Sequence, residues 1–410
     1  MRQRAAKALA EAGARAYDEL DDARTAVHLL GIAVELAPAT SEAALWDERL
    51  WNIGFVVLGR PADGRPRDLN REVYGDEVGE AVAARDARLR RVFADPATVD
   101  RTVGRPDDLR ALELYRTRGA RHLEPGVLLR LTQGDYHAGE LETAEGWARE
   151  ALHSAEELGW RDVMGWAAGD LLRAVFAGPS PLSHLAAEAT ALVDRWAGRL
   201  ASTPALWFRS EARTLMGDAA GARADMDEAV RLRAALGLEA DSDELWAEPT
   251  VKIAAGDLPA AAEACRAALS LVPDEDRMNG NFMLGTYARV LLDLGHDEEA
   301  QAAVEPLEHS AVVEQRATHR SLRARLLARA GDVDAALGSI DEAAALVAPT
   351  GLAIVKADVA LDRAHVLLAA GRVDDARASG EEAVSRYRAK EHEVGARQAV
   401  ALLGAIAQPR

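Results

Sequence analysis

The sequence predicts an all-α protein, an α-solenoid of about nine or ten helical hairpins. Glycines recur at a spacing near 39 residues, and small residues follow them at fixed offsets. Stretches with apolar residues at helical spacing flank these glycines. A repeat of about 20–50 residues is typical of stacked supersecondary units, each of which packs mainly on its neighbours.

A ladder of glycines runs through the last two-thirds of the chain. Five of its members stand 39 residues apart and two more follow at 36 and 40, in the order Gly139, Gly178, Gly217, Gly256, Gly295, Gly331 and Gly371. Five positions after them stand the small residues Ala144, Ser183, Ala222, Ala261, Ala300, Ala336 and Ala376. Because a small residue lets two helix axes approach to about 8 Å, these positions predict the helix crossings.

The last unit shows the local pattern most clearly. Residues 360–368 place apolar side chains on one helical face, and Gly371 then ends the helix. Asp374 and Asp375 stand in the first turn of the next helix, where the positive end of the helix dipole stabilises carboxylates. Two such helices of about 16 residues each, about 24 Å long, form one hairpin.

The first third of the chain is less regular. Residues 5–36 predict a hairpin that stops at Pro38, and residues 41–58 predict a further helix. Near-copies of one hexapeptide begin at Gly64 and Gly104, which indicates that the period continues in degenerate form. We therefore expect three segments: an N-terminal hairpin with its following helix over 1–58, an irregular, degenerate repeat region over 59–125, and regular repeats over 126–410.

The small–Leu–Gly–small–small pattern of Ala364, Leu367, Gly371, Ala376 and Ala383 resembles the tetratricopeptide repeat. Longer, alanine-rich units of this kind are similar to the C-terminal repeat regions of bacterial MalT/LuxR-type ATPase regulators and of nucleotide cyclase–ATPase–repeat proteins. The resemblance covers residues 126–410. It implies a right-handed superhelix of hairpins like those of the tetratricopeptide repeat, with a role in protein binding.

Two features depart from that family pattern. The unit is longer than the usual repeat of about 34 residues. The large aromatic expected nine positions after the glycine is replaced by Cys265, Val304, Ile340 or Gly380.

Composition limits the possible partners and compartments. The net charge of -18 and the pI near 5.1 disfavour direct contact with nucleic acid, which needs clustered cations. The single cysteine, Cys265, excludes an intrachain disulfide and suits a reducing compartment. The N-terminal sequence has no apolar signal core, and the strongest apolar run, residues 53–58, is too short for a membrane span. We expect a cytoplasmic protein that binds neither nucleic acid nor membranes.

The sequence offers no recognisable catalytic centre. It contains no phosphate-binding GxxxxGK[ST] loop, no HExxH, no paired CxxC and no GxSxG motif, and its ten histidines are scattered singly. We expect no catalytic residue, no metal and no cofactor. The alternative is an enzyme whose site lies in 59–125, built from the charged residues Asp63, Asp68, Asp100, Arg101 and Asp107.

Large aromatic and polar side chains on the predicted first helices of the hairpins are the candidate binding groove. First helices line the concave wall in repeats of this kind, and large aromatics are enriched among interface anchors. The alternative is that the aromatics fill gaps between alanine-rich hairpins. The candidates are Trp166, Trp207, Arg213, Trp246, Asn279, Asn281, Phe282, Tyr287 and Arg289.

The combined prediction is a non-catalytic helical-repeat scaffold that binds a protein or peptide segment. By resemblance, it would be the sensing or assembly region of a bacterial signalling or transcriptional regulator. The alternatives are a stand-alone receptor for a peptide pheromone or a small effector, and an enzyme with its site in 59–125.

Overall fold

The structure is a computed structural model. It describes residues 2–20, 22–53, 68–94, 105–198, 202–235, 242–272 and 277–407. Within these ranges, the side chains of 18–20, 89, 91–94, 162, 242–246 and 277–279 are not described. Over the described ranges, the regular secondary structure is helical and contains no strand, which confirms the all-α prediction.

The chain divides into two compact units. Unit 1 comprises residues 1–131 and 150–164, and unit 2 comprises 132–149 and 165–410. The helices that lie wholly in unit 1 are α1 (Arg2–Leu20), α2 (Ala23–Leu36), α3 (Ser41–Trp51), α4 (Leu69–Tyr74), α5 (Asp76–Ala94) and α6 (Arg105–Arg118), followed by a 3-10 helix over Arg121–Leu123.

The division passes through the next three helices, and the rest belong to unit 2. The shared helices are α7 (Glu124–Ala138), α8 (Leu141–Leu158) and α9 (Arg161–Ala177). Unit 2 continues with α10 (Leu182–Arg195), α11 (Thr203–Met216), α12 (Ala219–Ala235), α13 (Ser242–Ala255), α14 (Leu258–Leu271), α15 (Arg277–Leu294), α16 (Asp297–Val304), a 3-10 helix over Glu305–Leu307, α17 (Val313–Arg329), α18 (Val333–Val347), α19 (Ala353–Ala369), α20 (Val373–Ala389) and α21 (Glu393–Ala407).

In unit 1, short polar side chains begin the helices that the first third of the sequence predicted. The backbone amide of Thr25 donates to Asp22 at the start of α2, and that of Ala43 donates to Thr40 at the start of α3. Such caps satisfy amides that a helix leaves without an internal partner. Residues 54–58 of the predicted 41–58 helix lie outside the described residues.

The glycine ladder marks the turn between the two helices of a hairpin, as predicted. Six of its seven members have φ between 72° and 92°, a region that glycine enters without steric cost. Gly178 does not share this conformation; it follows α9 directly, and its amide donates to the carbonyl of Ala174 at 2.9 Å. Two prolines close behind it, Pro179 and Pro181, prevent the helix from continuing.

The small residues five positions after the glycines are buried where two helices cross. Ala144, Ala222, Ala261, Ala300, Ala336 and Ala376 are all at most 1% exposed. Ser183 is the exception and is exposed. First helices of successive hairpins also pack on one another, α11 on α13, α15 on α17 and α17 on α19. Unit 2 is therefore a stack of helical hairpins, which confirms the predicted solenoid.

Replacing Ala300 by Trp is expected to lower the free energy of unfolding by about 1–3 kcal/mol, because the indole would overpack a completely buried crossing. Ala302 lies on the exposed side of the same helix, so Ala302→Trp is the matched control and should leave stability nearly unchanged. Urea unfolding of both variants measures the difference. Equal stability of the two variants would contradict the assignment of Ala300 to the crossing.

Early and late hairpins of unit 2 touch each other. The amide of Gly351 donates to the carbonyl of Gly139 at 2.8 Å, and the amide of Leu182 donates to the carbonyl of Lys390 at 3.0 Å. One hydrophobic cluster contains buried residues of α7, α8 and α9 together with residues of α17, α18 and α19. Helix α21 also packs on α11. The stack in unit 2 therefore closes on itself, which the sequence did not predict.

Candidate functional site

The closure of unit 2 brings side chains from five first helices together. The hydroxyl of Tyr136 on α7 donates to Oε2 of Glu314 on α17 at 2.9 Å, and its ring lies 6.3 Å from that of Phe282 on α15. Arg173 on α9 interacts electrostatically with Glu314, with Asp170 on its own helix and with Glu211 on α11. We call Tyr136, Asp170, Arg173, Glu211, Phe282 and Glu314 the inner cluster.

The carboxylates of the inner cluster resist ionisation. Burial raises the pKa of Glu211 and of Glu314 to about 7, and it raises the pKa of Asp170 to about 6. Arg173 opposes the shift in each case without cancelling it. All three side chains nevertheless keep part of their surface accessible. The inner cluster can therefore change its charge near neutral pH and can receive a cationic group.

A second polar network in unit 2 joins three consecutive first helices. Asp362 on α19 is completely buried and accepts hydrogen bonds from Arg289 of α15 at 2.9 Å and from Ser321 of α17 at 2.7 Å. A guanidinium nitrogen of Arg325, also on α17, lies 3.4 Å from the same carboxylate. Burial opposes ionisation of Asp362, but the two arginines outweigh it and hold its pKa below the ordinary value. The network fixes neighbouring hairpins relative to one another.

Two of the candidate groove residues lie beside this convergent region. Phe282 belongs to the inner cluster, and Asn281 next to it donates to Gln315 of α17 at 3.2 Å. Arg289 donates a hydrogen bond to Asp362, as described above. Tyr287, on the same helix, packs against a buried cluster of α15, α16 and α17 residues, and the guanidinium of Arg266 lies 6.0 Å from the centre of its ring.

The remaining candidates occupy other surroundings. Trp166 is 41% exposed. Trp207 is half-buried and packs against Leu206, Ala229 and Leu232 of its own hairpin. Arg213 forms an ion pair with Asp225 at 2.6 Å. The side chains of Trp246 and Asn279 lie outside the described residues.

The sequence did not single out Tyr136, Asp170, Glu211 or Glu314. They stand at different distances from their glycines, so the 39-residue period does not reveal them. The sequence signal that could have identified them is a charged or hydroxyl-bearing residue among the apolar residues of a first helix. Asp170, for example, stands between Ala168 and Leu171, both buried.

The charged residues proposed for an enzyme site in 59–125 have local partners where the structure describes them. Asp68 caps α4 by accepting the amide of Arg71 at 3.0 Å, and Asp107 is exposed and pairs with Arg110 at 2.5 Å. Asp63, Asp100 and Arg101 lie outside the described residues.

Unit 1 contains a buried ion cluster that the sequence did not reveal. Both terminal nitrogens of Arg85 on α5 contact the carboxylate of Glu48 on α3, at 2.6 and 3.0 Å. Arg85 also lies 2.8 Å from Asp86, and its guanidinium stands 4.9 Å above the ring of Trp51. One arginine thus pairs with two buried carboxylates.

Cys265 is packed as a buried residue. It has no exposed surface and lies against Ala268 and Met283. Burial raises the pKa of its thiol to about 12, so the thiolate needed for a nucleophile is disfavoured. Among the described residues, no group of histidine, cysteine, aspartate and glutamate side chains has an arrangement that could hold a metal ion.

No protein-family model matches the chain, and a search of curated proteins gave no match. Solved structures similar to it include a tetratricopeptide repeat protein from Parabacteroides merdae, 14% identical, with a TM-score of 0.38 and coverage of 70% of this chain and 99% of the other. A Rap protein complexed with competence and sporulation factor is 10% identical, with a TM-score of 0.45 and coverage of 98% and 97%. Yeast Tom70 is 12% identical, with a TM-score of 0.32 and coverage of 98% and 89%.

These identities and TM-scores are too low to indicate a function. Across the part of the chain that the structure describes, no helix combines the length and the hydropathy that a membrane span requires.

Proposed function

We propose that the chain is a non-catalytic helical-repeat scaffold that binds a protein or peptide segment at the inner cluster of unit 2. The observation that supports this proposal is the convergence of Asp170, Glu211 and Glu314 from three first helices beside the rings of Tyr136 and Phe282. A solenoid supplies such a surface because neighbouring units place equivalent helices side by side.

The chemistry of the inner cluster favours a basic segment. It contains three carboxylates and one guanidinium, that of Arg173. When the carboxylates are ionised, the cluster carries a net negative charge that a further cation would balance. A lysine or arginine of a partner would receive charge-assisted hydrogen bonds and would favour the ionised carboxylates. The rings of Tyr136 and Phe282 offer apolar area beside them for the rest of the segment.

The wider context rests on the sequence resemblance. We propose that the scaffold works in the cytoplasm as the sensing or assembly region of a bacterial signalling or transcriptional regulator. A stand-alone receptor for a peptide pheromone or a small effector would use the same inner cluster. The two roles differ in whether further domains belong to the same protein.

Selection from a displayed library of random peptides, followed by affinity measurement on the full chain, tests the proposal. We expect the selected peptides to carry lysine or arginine and to bind more tightly as the pH rises through 6 to 7, because the carboxylates ionise in that range. The double variant Glu211→Gln and Glu314→Gln should weaken binding at pH 7.5 by about tenfold or more, since a hydrogen bond to a charged group contributes about 1.5–3 kcal/mol.

The matched control is Glu263→Gln with Glu381→Gln, two exposed carboxylates on the second helices α14 and α20. This control should bind the selected peptides as the unaltered protein does. Selection of peptides without basic residues, or equal loss of affinity in both double variants, would contradict the proposed site. Binding of small amines but of no peptide would favour the small-effector role.

A further inference from the structure

Trp166, on the first helix α9, has no role in the inner cluster and yet faces solvent. Of the eight tryptophans, the side chain of Trp246 is not described, and among the other seven only Trp166 is exposed, at 41%. No aromatic ring or cation of the described residues stacks on its indole. Tryptophan is enriched among interface anchors because it offers a large and rigid contact area. Its exposure on a first helix therefore indicates a contact with a ligand.

Asp170 lies one turn further along the same face of α9. Residues four apart on a helix have Cβ atoms about 5–6 Å apart, and the later side chain leans toward the earlier one. Oδ2 of Asp170 accepts a hydrogen bond from Gln133 of α7 at 3.4 Å. Oδ1 has no hydrogen-bond partner among the described residues and is not buried. Helix α9 thus presents an indole and an accessible carboxylate oxygen side by side.

Two glycines leave the helix surface beside this pair bare. Gly165 precedes Trp166, and Gly169 precedes Asp170. A Cβ at Gly165 would have no described atom within 4 Å, and one at Gly169 would make an ordinary contact of 3.9 Å with Pro204. The packing of the described residues therefore requires glycine at neither position, although glycine destabilises a helix relative to alanine. Glycine is typical of places where a ligand approaches the backbone closely.

The next first helix repeats the sequence pattern but not the open surface. Trp207 and Glu211 stand on α11, 41 residues after Trp166 and Asp170. Trp207 packs within its own hairpin, and its indole nitrogen is buried. The two glycines are replaced there by buried leucine and serine side chains. The accessible indole with its bare surroundings is therefore a feature of α9.

We propose that Trp166, Asp170 and the bare surface at Gly165 and Gly169 form a subsite for one arginine side chain of the bound segment. The guanidinium lies flat on the indole and donates to Oδ1 of Asp170. A planar, weakly hydrated guanidinium stacks on an aromatic face and pairs with a carboxylate at once, whereas the compact ammonium of lysine is strongly hydrated. The inference rests on the proposed function, since the arginine belongs to the segment that the inner cluster receives.

The arginine of the chain itself leaves this subsite open. Arg173 interacts electrostatically with Asp170 but stands on the other side of it, two helical turns from Trp166. It therefore does not cover the indole. Burial raises the pKa of Asp170 to about 6, so at pH 7.5 the carboxylate is ionised and attracts a cation.

A single amino-acid derivative tests the subsite on the full chain at pH 7.5. The probe is N-acetylarginine amide, and saturation-transfer NMR on its own signals gives its affinity. Titration should shift the indole N–H signal of Trp166, which is identified by its absence in Trp166→Leu, and should leave that of Trp207 in place. The corresponding lysine derivative should bind about two- to fivefold more weakly. The neutral citrulline derivative should bind about tenfold more weakly or less.

Variants test each part of the subsite. Trp166→Leu should weaken binding of the probe by about threefold and Asp170→Asn by about tenfold. The matched controls, Trp207→Leu and Asp227→Asn on the exposed side of α12, should bind it as the unaltered protein does.

The glycines give a test that a structural role would not pass. The double variant Gly165→Ala and Gly169→Ala should raise the melting temperature, because alanine favours the helix, and yet weaken binding of the probe. Unchanged binding in this variant would overturn the role of the bare surface.

The outcomes separate the subsite from the proposed function. A Trp166 signal that does not move, or equal affinity for the arginine and lysine derivatives, would overturn the subsite. Selected basic peptides that bind without shifting the Trp166 signal would also overturn it while supporting the proposed function. Saturable binding of the arginine derivative at Trp166, with no peptide selected, would support the subsite and contradict the proposed function.

Discussion

Replacing Asp362 by asparagine is expected to lower the free energy of unfolding by about 3–5 kcal/mol, because it removes a completely buried carboxylate that pairs with both Arg289 and Arg325. Asp362 is completely buried and contacts Arg289, Arg325 and Ser321. Asparagine has nearly the same shape, so packing is preserved and the lost charge accounts for the change. Urea unfolding followed by circular dichroism measures the loss.

The matched control for Asp362 is an exposed ion pair in the same repeats. Asp341 and Arg363 lie 2.9 Å apart with their side chains 62% and 41% exposed. Asp341→Asn should cost less than about 1 kcal/mol, since solvent screens such pairs. Equal effects of the two substitutions would show that Asp362 does not hold the hairpins together.

The same carboxylate gives a pH dependence. The arginines hold the pKa of Asp362 below its ordinary value of about 3.9, so its contribution is fully present above that value. The contribution is lost as the pH falls below it, when the carboxylate becomes protonated. In Asp362→Asn this part of the acid sensitivity should disappear.

Replacing Arg85 by leucine should destabilise unit 1 by a similar amount, about 3–5 kcal/mol, because it leaves the buried carboxylates of Glu48 and Asp86 without this cation. The loss of its contact with Trp51 adds a smaller contribution. Hydrogen exchange followed by mass spectrometry should show faster exchange in α3 and in residues 78–88 of α5.

Arg71→Leu is the control for this substitution. Arg71 pairs with Asp68 at 3.0 Å and with Asp76 at 3.2 Å, and its side chain is 41% exposed. We expect little change in exchange for this variant. If Arg85→Leu exchanges no faster than Arg71→Leu, the buried cluster is not required for the stability of unit 1.

Much of the hairpin architecture could be predicted from the sequence because its determinants are local. A glycine such as Gly217 or Gly256 ends a helix through its own φ, and an alanine such as Ala300 sets a crossing through its own size. Each of these effects acts within one unit of about 39 residues. The spacing of these glycines and alanines along the sequence therefore predicts where the helices end and cross.

The closure of unit 2 and the inner cluster could not be predicted in the same way. They depend on small rotations between neighbouring units, which add up over several hairpins and leave no mark in a single unit. Lys390 looks like an ordinary solvated lysine in the sequence, yet its partner Gly178 lies 212 residues away. Tyr136 and Glu314, 178 residues apart, meet for the same reason. Phe282 was found because large aromatics on first helices stand out in an alanine-rich chain.

Chemical cross-linking across the closure tests the central claim most directly, namely that early and late hairpins of unit 2 meet and assemble the inner cluster. Cysteines would replace the exposed residues Glu140 and Ala348, which flank the hydrogen bond between Gly351 and Gly139, in a Cys265→Ser background. A short bismaleimide should join them within one molecule. Cysteines at Glu308 and Arg320, which contact each other at 3.3 Å between neighbouring elements, serve as the positive control. Efficient cross-linking of the control pair with none between positions 140 and 348 would contradict the closure.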